Sequence, residues 1–354
     1  MNPSKYNKIV VSLMLLPLVL IGAGNFIVDP LQYYRKTLFS TGFSANQRQQ
    51  NPGLAKNYPY DTVIIGDSRT ENMLPGNVRN YLGFDALKLS MSGASAHEQA
   101  LILNLALGTG KVKNVLWLLS AERFKRVYEV SDRSGGFPMH LYTGGMDATF
   151  KYLLSLDTTM LSISFLLGNS EDNLEKLNTW YEKDEFSVEA VRNNYNMYCR
   201  VAKRRNISSE SVSLDDSSNV DESISVNLQS IVEKHKDVNF YLYFPPVSMA
   251  QHVLNAQFYP SRLSETISFT EKVYDSVGAS ANTEIYNFLD VESLSHDLES
   301  YKDISHYNIN IDNYILESMA NGRHRFQHDN MTHFRNQLIE SAEQYVLPFA
   351  SDCI

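Results

Sequence analysis

The sequence predicts an α/β protein: a three-layer, doubly wound, parallel five-stranded sheet with a helical insertion and an N-terminal transmembrane helix. Three observations predict it. Short β-branched apolar runs recur along the chain, each bounded by turn or helix signals. Helical patterns fall between them, and alternating strand and helix is the pattern of a parallel sheet covered on both faces. An uncharged apolar stretch, Ile9 to Val28, stands ahead of them all.

That stretch comes first. About 20 apolar residues suffice to cross a bilayer as a helix. Lys5 and Lys8 precede it, which favours a cytoplasmic N-terminus and places the rest of the chain on the far side of the membrane. A cleaved signal peptide is the competing reading, but Ile21 sits badly for a cleavage site at Gly22-Ala23-Gly24. Residues 1–28 are therefore read as cytoplasmic tail and anchor. Residues 29–60, rich in Gln, Asn and Pro, read as a linker.

A domain spanning 61–350 follows. Its strand-like runs are Thr62–Ile65, Ala86–Met91, Val112–Leu119, Val238–Phe244 and Glu284–Leu289, with helical patterns at His97–Leu107 and Leu263–Ser276. An insertion at about 125–235 interrupts the alternation. Within it, Ala148–Leu167 is rich in Leu, Met and Phe. Lys151 and Asp157 argue against a second membrane span, so a buried or lid-like helix is expected. Ser208–Ser225, with few large apolar residues, reads as a flexible loop. The insertion forms either a cap over the active face or a surface excursion.

Composition narrows the function classes. The chain has 354 residues, room for one large domain or two average ones, and 43% apolar content sustains a sizeable core. With a net charge of -9 and no long basic run, nucleic acid is excluded as a partner, because phosphate contacts need clustered Lys and Arg. Cys199 and Cys353 are the only cysteines. They could pair in an oxidising compartment or remain two buried thiols.

The chemistry is carried by two short motifs. In Asp61-Thr62-Val63-Ile64-Ile65-Gly66-Asp67-Ser68 a β-branched strand meets a glycine, and a serine follows at once. Ser68 then lies at the carboxyl end of a buried strand, where open α/β sheets bind ligands and a helix N-terminus offers free N–H groups. Far downstream, Asp303-Ile304-Ser305-His306 sets a carboxylate three residues before an imidazole. If the fold joins the two, His306 takes the Ser68 proton while Asp303 orients the ring and stabilises its charged form. Asp67, next to Ser68, is badly placed to reach that ring and is expected to brace the turn. Arg69 and Asn72 either line the pocket or form an exposed first helical turn.

These motifs resemble the SGNH/GDSL hydrolase superfamily. Gly66-Asp67-Ser68 matches its first block, Leu89-Ser90-Met91-Ser92-Gly93-Ala94-Ser95 its second with Gly93 in the glycine position, and Asp303 with His306 its last. The stretch from Asp303 to Met319 is similar to bacterial inner-membrane-anchored SGNH-like proteins. The resemblance implies an SGNH or flavodoxin-like sheet, a periplasmic domain, and esterase or O-acetyltransferase activity on envelope or exported polysaccharide. Partners would then be an acylated polysaccharide or an acyl donor, with an inner-membrane protein as one source of the acyl group. No metal or organic cofactor is needed for such chemistry.

One block departs. The family's Gly-x-Asn-Asp should follow Asn114–Leu119, yet Ser120-Ala121-Glu122-Arg123-Phe124 stands there. Its Asn is an oxyanion-hole donor, and losing one such donor costs on the order of 10²–10³ in rate. The hole is then left to the backbone N–H groups of Ser68 and Gly93, or to another donor. A non-catalytic carbohydrate-binding or assembly scaffold is the alternative function. His324, His328 and His333 include an i, i+4 pair that would suit a metal on a helix, but a solvated polar segment is the expected reading.

Overall fold

A computed structural model describes residues 3–36, 42–131, 136–168, 173–182, 184–204 and 217–349. The chain divides into two compact units. One comprises residues 1–59 and 132–177, the other residues 60–131 and 178–354.

The second unit holds the sheet. Its strands are β1 (Thr62–Ile65), β2 (Ala86–Lys88), β3 (Asn114–Leu118), β4 (Asn239–Phe244) and β5 (Thr283–Asn287). They pair in the order β2-β1-β3-β4-β5, every pair parallel. Each strand lies where the sequence places one. β1 and β3 are buried along their whole length, which is why they read as unbroken apolar runs rather than alternating ones. The order is the flavodoxin-like doubly wound arrangement, in which the chain reverses direction across the sheet beside β1. The carboxyl ends of β1 and β3 therefore open onto the crevice where such sheets bind ligands.

Helices flank the sheet. Among them are α3 (Pro75–Leu82), α4 (Ala96–Leu107), α8 (Val188–Arg204) and the helices Met249–Phe258, Pro260–Val277, Ile309–Ala320 and Met331–Gln344. The start of α4 is fixed by a capping box. The Ser95 hydroxyl accepts the Glu98 N–H, and the Glu98 carboxylate accepts the Ser95 N–H at 3.1 Å. α8 buries Val191, Tyr195, Cys199 and Ala202 along one side, spaced as a helix requires. Cys199 is thus a core residue; Cys353 lies outside the described residues.

The first unit is helical. It contains α1 (Pro3–Val28), α2 (Gln47–Asn57), α5 (Met139–Thr143), α6 (Gly145–Leu153) and α7 (Leu156–Leu166). Within α1, Ser4–Val28 is long and apolar enough to cross a membrane, with a mean hydropathy of 2.2 and only 11% of the window buried. The helix ends at Asp29, whose carboxylate accepts the N–H groups of Tyr33 (2.9 Å), Tyr34 (3.0 Å) and Arg35 (3.1 Å). Beyond it the amides that read as linker composition are buried and bonded. Gln50 Nε2 donates to the Leu31 carbonyl at 3.1 Å, and its Oε1 accepts the Ser44 N–H at 2.8 Å. Ala148–Leu167, expected as one buried or lid-like helix, is two helices broken at Leu154-Ser155, and most of its large apolar side chains are exposed.

Candidate active site

Gly66 ends β1 because no other residue fits. A Cβ there would stand 2.7 Å from Thr70 Cγ2 and 3.0 Å from Leu118 Cβ. The close packing turns the chain sharply into a short 3-10 turn, Ser68–Thr70, capped by the Asp67 side chain. Ser68 emerges half-buried at the carboxyl end of the sheet.

Asp67 is fully buried beneath it and faces two guanidinium groups. Its Oδ1 accepts from the Arg69 N–H and Nε at 3.1 Å each, and its Oδ2 accepts from Arg69 Nη2 at 2.7 Å and Arg123 Nε at 2.9 Å. Burial alone would raise this carboxyl. The charges and hydrogen bonds of Arg69 and Arg123 overcome that and hold it far below the usual carboxylate range. Asp67 is thus the brace of the turn, and Ser120–Phe124, where the sequence departs from the resembled pattern, supplies the second cation.

His306 arrives on a loop locked from several sides. The Ile304 carbonyl accepts both the N–H (3.1 Å) and the hydroxyl (2.8 Å) of Ser248, and the Ile304 N–H donates to Asn194 Oδ1 at 3.3 Å. Tyr301 and Tyr307 pair across the loop base. The structure brings the three residues together. Ser68 Oγ lies 2.7 Å from His306 Nε2, and His306 Nδ1 lies 2.8 Å from Asp303 Oδ2.

The second Asp303 oxygen accepts the N–H groups of Ser305 (2.7 Å) and His306 (2.8 Å). Burial raises this carboxyl, but the bond and charge of His306 and the two N–H groups outweigh it and lower it to about 2. An ionised Asp303 assigns the proton to Nδ1 and leaves Nε2 free to accept from Ser68. Among the described residues, the backbone N–H groups of Ser68 and Gly93 have no hydrogen-bond acceptor. Gly93 holds φ 62°, a left-handed turn that glycine adopts without strain.

A cleft of about 230 Å³ opens beside the three residues. It is lined by Arg69, Ser120, Arg123, Asn194, Gln251 and the buried Phe269, among others. Of the two residues read as either pocket lining or exposed turn, Arg69 lines the cleft. Asn72 does not: it is fully buried, and its Oδ1 accepts the N–H groups of Trp180 and Tyr181 at 3.1 Å each. The 3-10 turn ends before Asn72, which points into the protein and ties down a distant segment.

The segment carries a residue that no motif announced. Trp180 Nε1 donates to the Ser68 carbonyl at 3.3 Å, and its ring meets His306 edge to face at 5.6 Å. Lys302 Nζ lies 3.7 Å above the same ring. Ser120 Oγ is buried without a partner, and the Nη groups of Arg123 have no acceptor among the described residues. His324 sits in a left-handed turn bonded to the Tyr314 hydroxyl at 2.9 Å, so it and His328 do not share a helix face. Among the described residues no group of three or more His, Cys, Asp or Glu is arranged to hold a metal ion.

No family model and no curated protein matches the chain. Among solved structures, it is similar to a Streptococcus pneumonia protein provisionally described as a platelet activating factor. The two are 11% identical with a TM-score of 0.39, over 77% of this chain and 88% of that one.

Proposed function

We propose that this chain is a membrane-anchored serine enzyme of SGNH type that acts on acyl esters. It would hydrolyse an acetyl ester of an envelope or exported polysaccharide, or transfer the acetyl group to one. The observation that carries this reading is the unbroken hydrogen-bonded series Ser68–His306–Asp303, at 2.7 and 2.8 Å, with its carboxylate held ionised.

The geometry supports the following steps. Ser68 Oγ attacks the ester carbonyl while its proton passes to His306 Nε2. The carbonyl oxygen becomes an oxyanion, and the free N–H groups of Ser68 and Gly93 are its donors. Arg123, anchored through Nε to Asp67, offers its Nη groups where the resembled family has an Asn. His306 then gives its proton to the departing alcohol oxygen as the C–O bond breaks. A water or a sugar hydroxyl attacks the acyl-Ser68 ester, losing its proton to His306 Nε2, and His306 returns that proton to Ser68 Oγ as the bond from Oγ to the acyl carbon breaks. Trp180 forms one wall beside His306 and excludes water from its ring.

Lys5 and Lys8 before the apolar helix support an N-terminus in the cytoplasm and residues 29–354 on the periplasmic side. The test is turnover of p-nitrophenyl acetate and of an O-acetylated polysaccharide by the full chain in detergent. Acetate release or transfer that disappears in Ser68→Ala is the expected result. The absent third-block Asn favours a second reading, a glycan-binding scaffold without catalysis. Glycan binding with no Ser68-dependent turnover of any acetyl donor would establish that reading instead.

A further inference from the structure

α7 is an apolar helix whose largest apolar side chains are mostly on its outer side. Its buried side is Thr158, Ser162 and Phe165. Ser162 Oγ donates to Asn25 Oδ1 at 2.9 Å, while Asn25 Nδ2 donates to Thr159 Oγ1 at 2.9 Å and to the Leu153 carbonyl at 2.8 Å. Its outer side is Leu156 (80% exposed), Met160 (65%), Ile163 and Leu167 (73%). Those four recur at spacings that align them in one stripe along the helix. α6 extends the patch with exposed Met146 and Phe150. Apart from Phe165, the inward groups of α7 are thus polar while its outward ones are apolar, the opposite of what water selects. Scattered exposed apolar residues are ordinary; a contiguous stripe marks a surface that something covers.

The neighbouring surface says what covers it. α6 and α7 both pack on α1. Near the far end of α1, Gly22 lets Leu154 approach so closely that an added Cβ would lie 3.3 Å from its Cδ2. The outward face of α1 is itself exposed and apolar along its length. The stripe therefore continues the surface of the helix that is long enough to cross a membrane. α7, at 11 residues, is too short to span a bilayer of about 30 Å hydrocarbon thickness. Charged residues flank the stripe: Lys151 pairs with Asp147 at 2.9 Å, both exposed, and Asp157 is exposed beside Leu156. A short apolar face with a charged flank is the pattern of a helix lying in the membrane interface.

We propose that α6 and α7 are interfacial membrane helices, seated in the leaflet where α1 leaves the bilayer, with Met146, Phe150, Leu156, Met160, Ile163 and Leu167 among the acyl chains. This rests on α1 spanning that bilayer and is independent of any chemistry at Ser68. Asn25 joins the two parts, so anchor and interfacial helices move as one piece.

The test uses the full chain in phosphatidylcholine vesicles, with Met160→Trp and Leu16→Trp as separate variants. Both positions are exposed, so neither substitution disturbs the core. The wild type supplies the background emission of Trp117 and Trp180. Lipids brominated near the glycerol end or near the methyl end of the acyl chain quench indoles at their own depth. The Met160→Trp increment should fall at least about twofold with the shallow quencher, less with the deep one, as expected for burial about 5–10 Å into the headgroup–acyl boundary. The Leu16→Trp increment should show the reverse.

Deep quenching for Leu16→Trp together with an unquenched, iodide-accessible indole for Met160→Trp overturns the interfacial assignment and leaves the anchor standing. A blue-shifted indole for Met160→Trp that no lipid quenches also overturns it, because the stripe is then covered by protein, a second copy of the chain included. Quenching in neither variant removes the anchor reading and the proposal with it.

Discussion

Replacing Asp303 by Asn changes one atom and two states of His306. In the wild type, Asp303 Oδ2 accepts the His306 Nδ1 proton at 2.8 Å while Oδ1 accepts two backbone N–H groups. The Asn oxygen can keep the backbone bonds, so the loop survives. Its amide nitrogen then faces Nδ1 as a donor and forces the proton onto Nε2. Nε2 points at Ser68 Oγ from 2.7 Å, and a protonated Nε2 donates to the hydroxyl instead of receiving its proton. The imidazolium formed during attack also loses its counter-charge. The expected cost is about 10³–10⁴ in kcat with KM little changed, or about 4–5.5 kcal/mol of transition-state stabilisation.

Stability moves as well. The Asp303 carboxyl titrates at about 2 rather than 3.8, and at about 1.4 kcal/mol per unit the ionised form contributes roughly 2 kcal/mol to folding. The folded-state value is the lower one, so the contribution is complete above about pH 4 and is lost as pH falls through 2. Urea denaturation of both proteins should show the wild-type advantage at pH 7 and its shrinkage in acid. Acetyl-ester hydrolysis by Asp303→Asn within threefold of wild type would refute the assigned role of the carboxylate.

Three further outcomes follow from the same geometry. Asp67→Asn leaves Arg69 and Arg123 without their buried counter-charge, and thermal melts should show a loss of about 3–5 kcal/mol. Gly66→Ala forces a methyl against Thr70 and Leu118; it should cost about 1–3 kcal/mol in denaturation and displace Ser68, lowering turnover as well. Trp180→Ala removes the edge contact on His306 and the bond to the Ser68 carbonyl. Its circular dichroism should be unchanged while kcat/KM drops by roughly 10²-fold, since small misplacements of reacting groups are that costly.

The site residues most visible in the sequence are those whose geometry is local. Gly66, Asp67 and Ser68 form one turn, and Asp303 orients His306 across three residues, so spacing alone carries the arrangement. Parallel strands were legible because burial on both faces leaves continuous apolar runs. What spacing could not carry is contact across distance. Nothing near Arg123 announces that it binds Asp67, and Trp180 comes from a segment with no periodic pattern, held by Asn72. A second kind of illegibility lies in Ala148–Leu167. An apolar stripe at helical spacing looks the same whether it faces a core or another medium, and only the partners of Thr159, Ser162 and Asn25 reveal which side is inward. The amides around Gln50 mislead in the opposite direction, reading as loop while serving as internal struts.

The chemistry proposed for this site requires Ser68 to be a nucleophile activated by His306. The most direct measurement is the intact mass of the full chain after a fluorophosphonate, with peptide mapping of the adduct. One phosphonyl group per chain on Ser68, absent in Ser68→Ala and formed at least about 10³-fold more slowly in His306→Ala, is the predicted result. An unmodified wild-type chain, or an adduct that persists in Ser68→Ala, would contradict it.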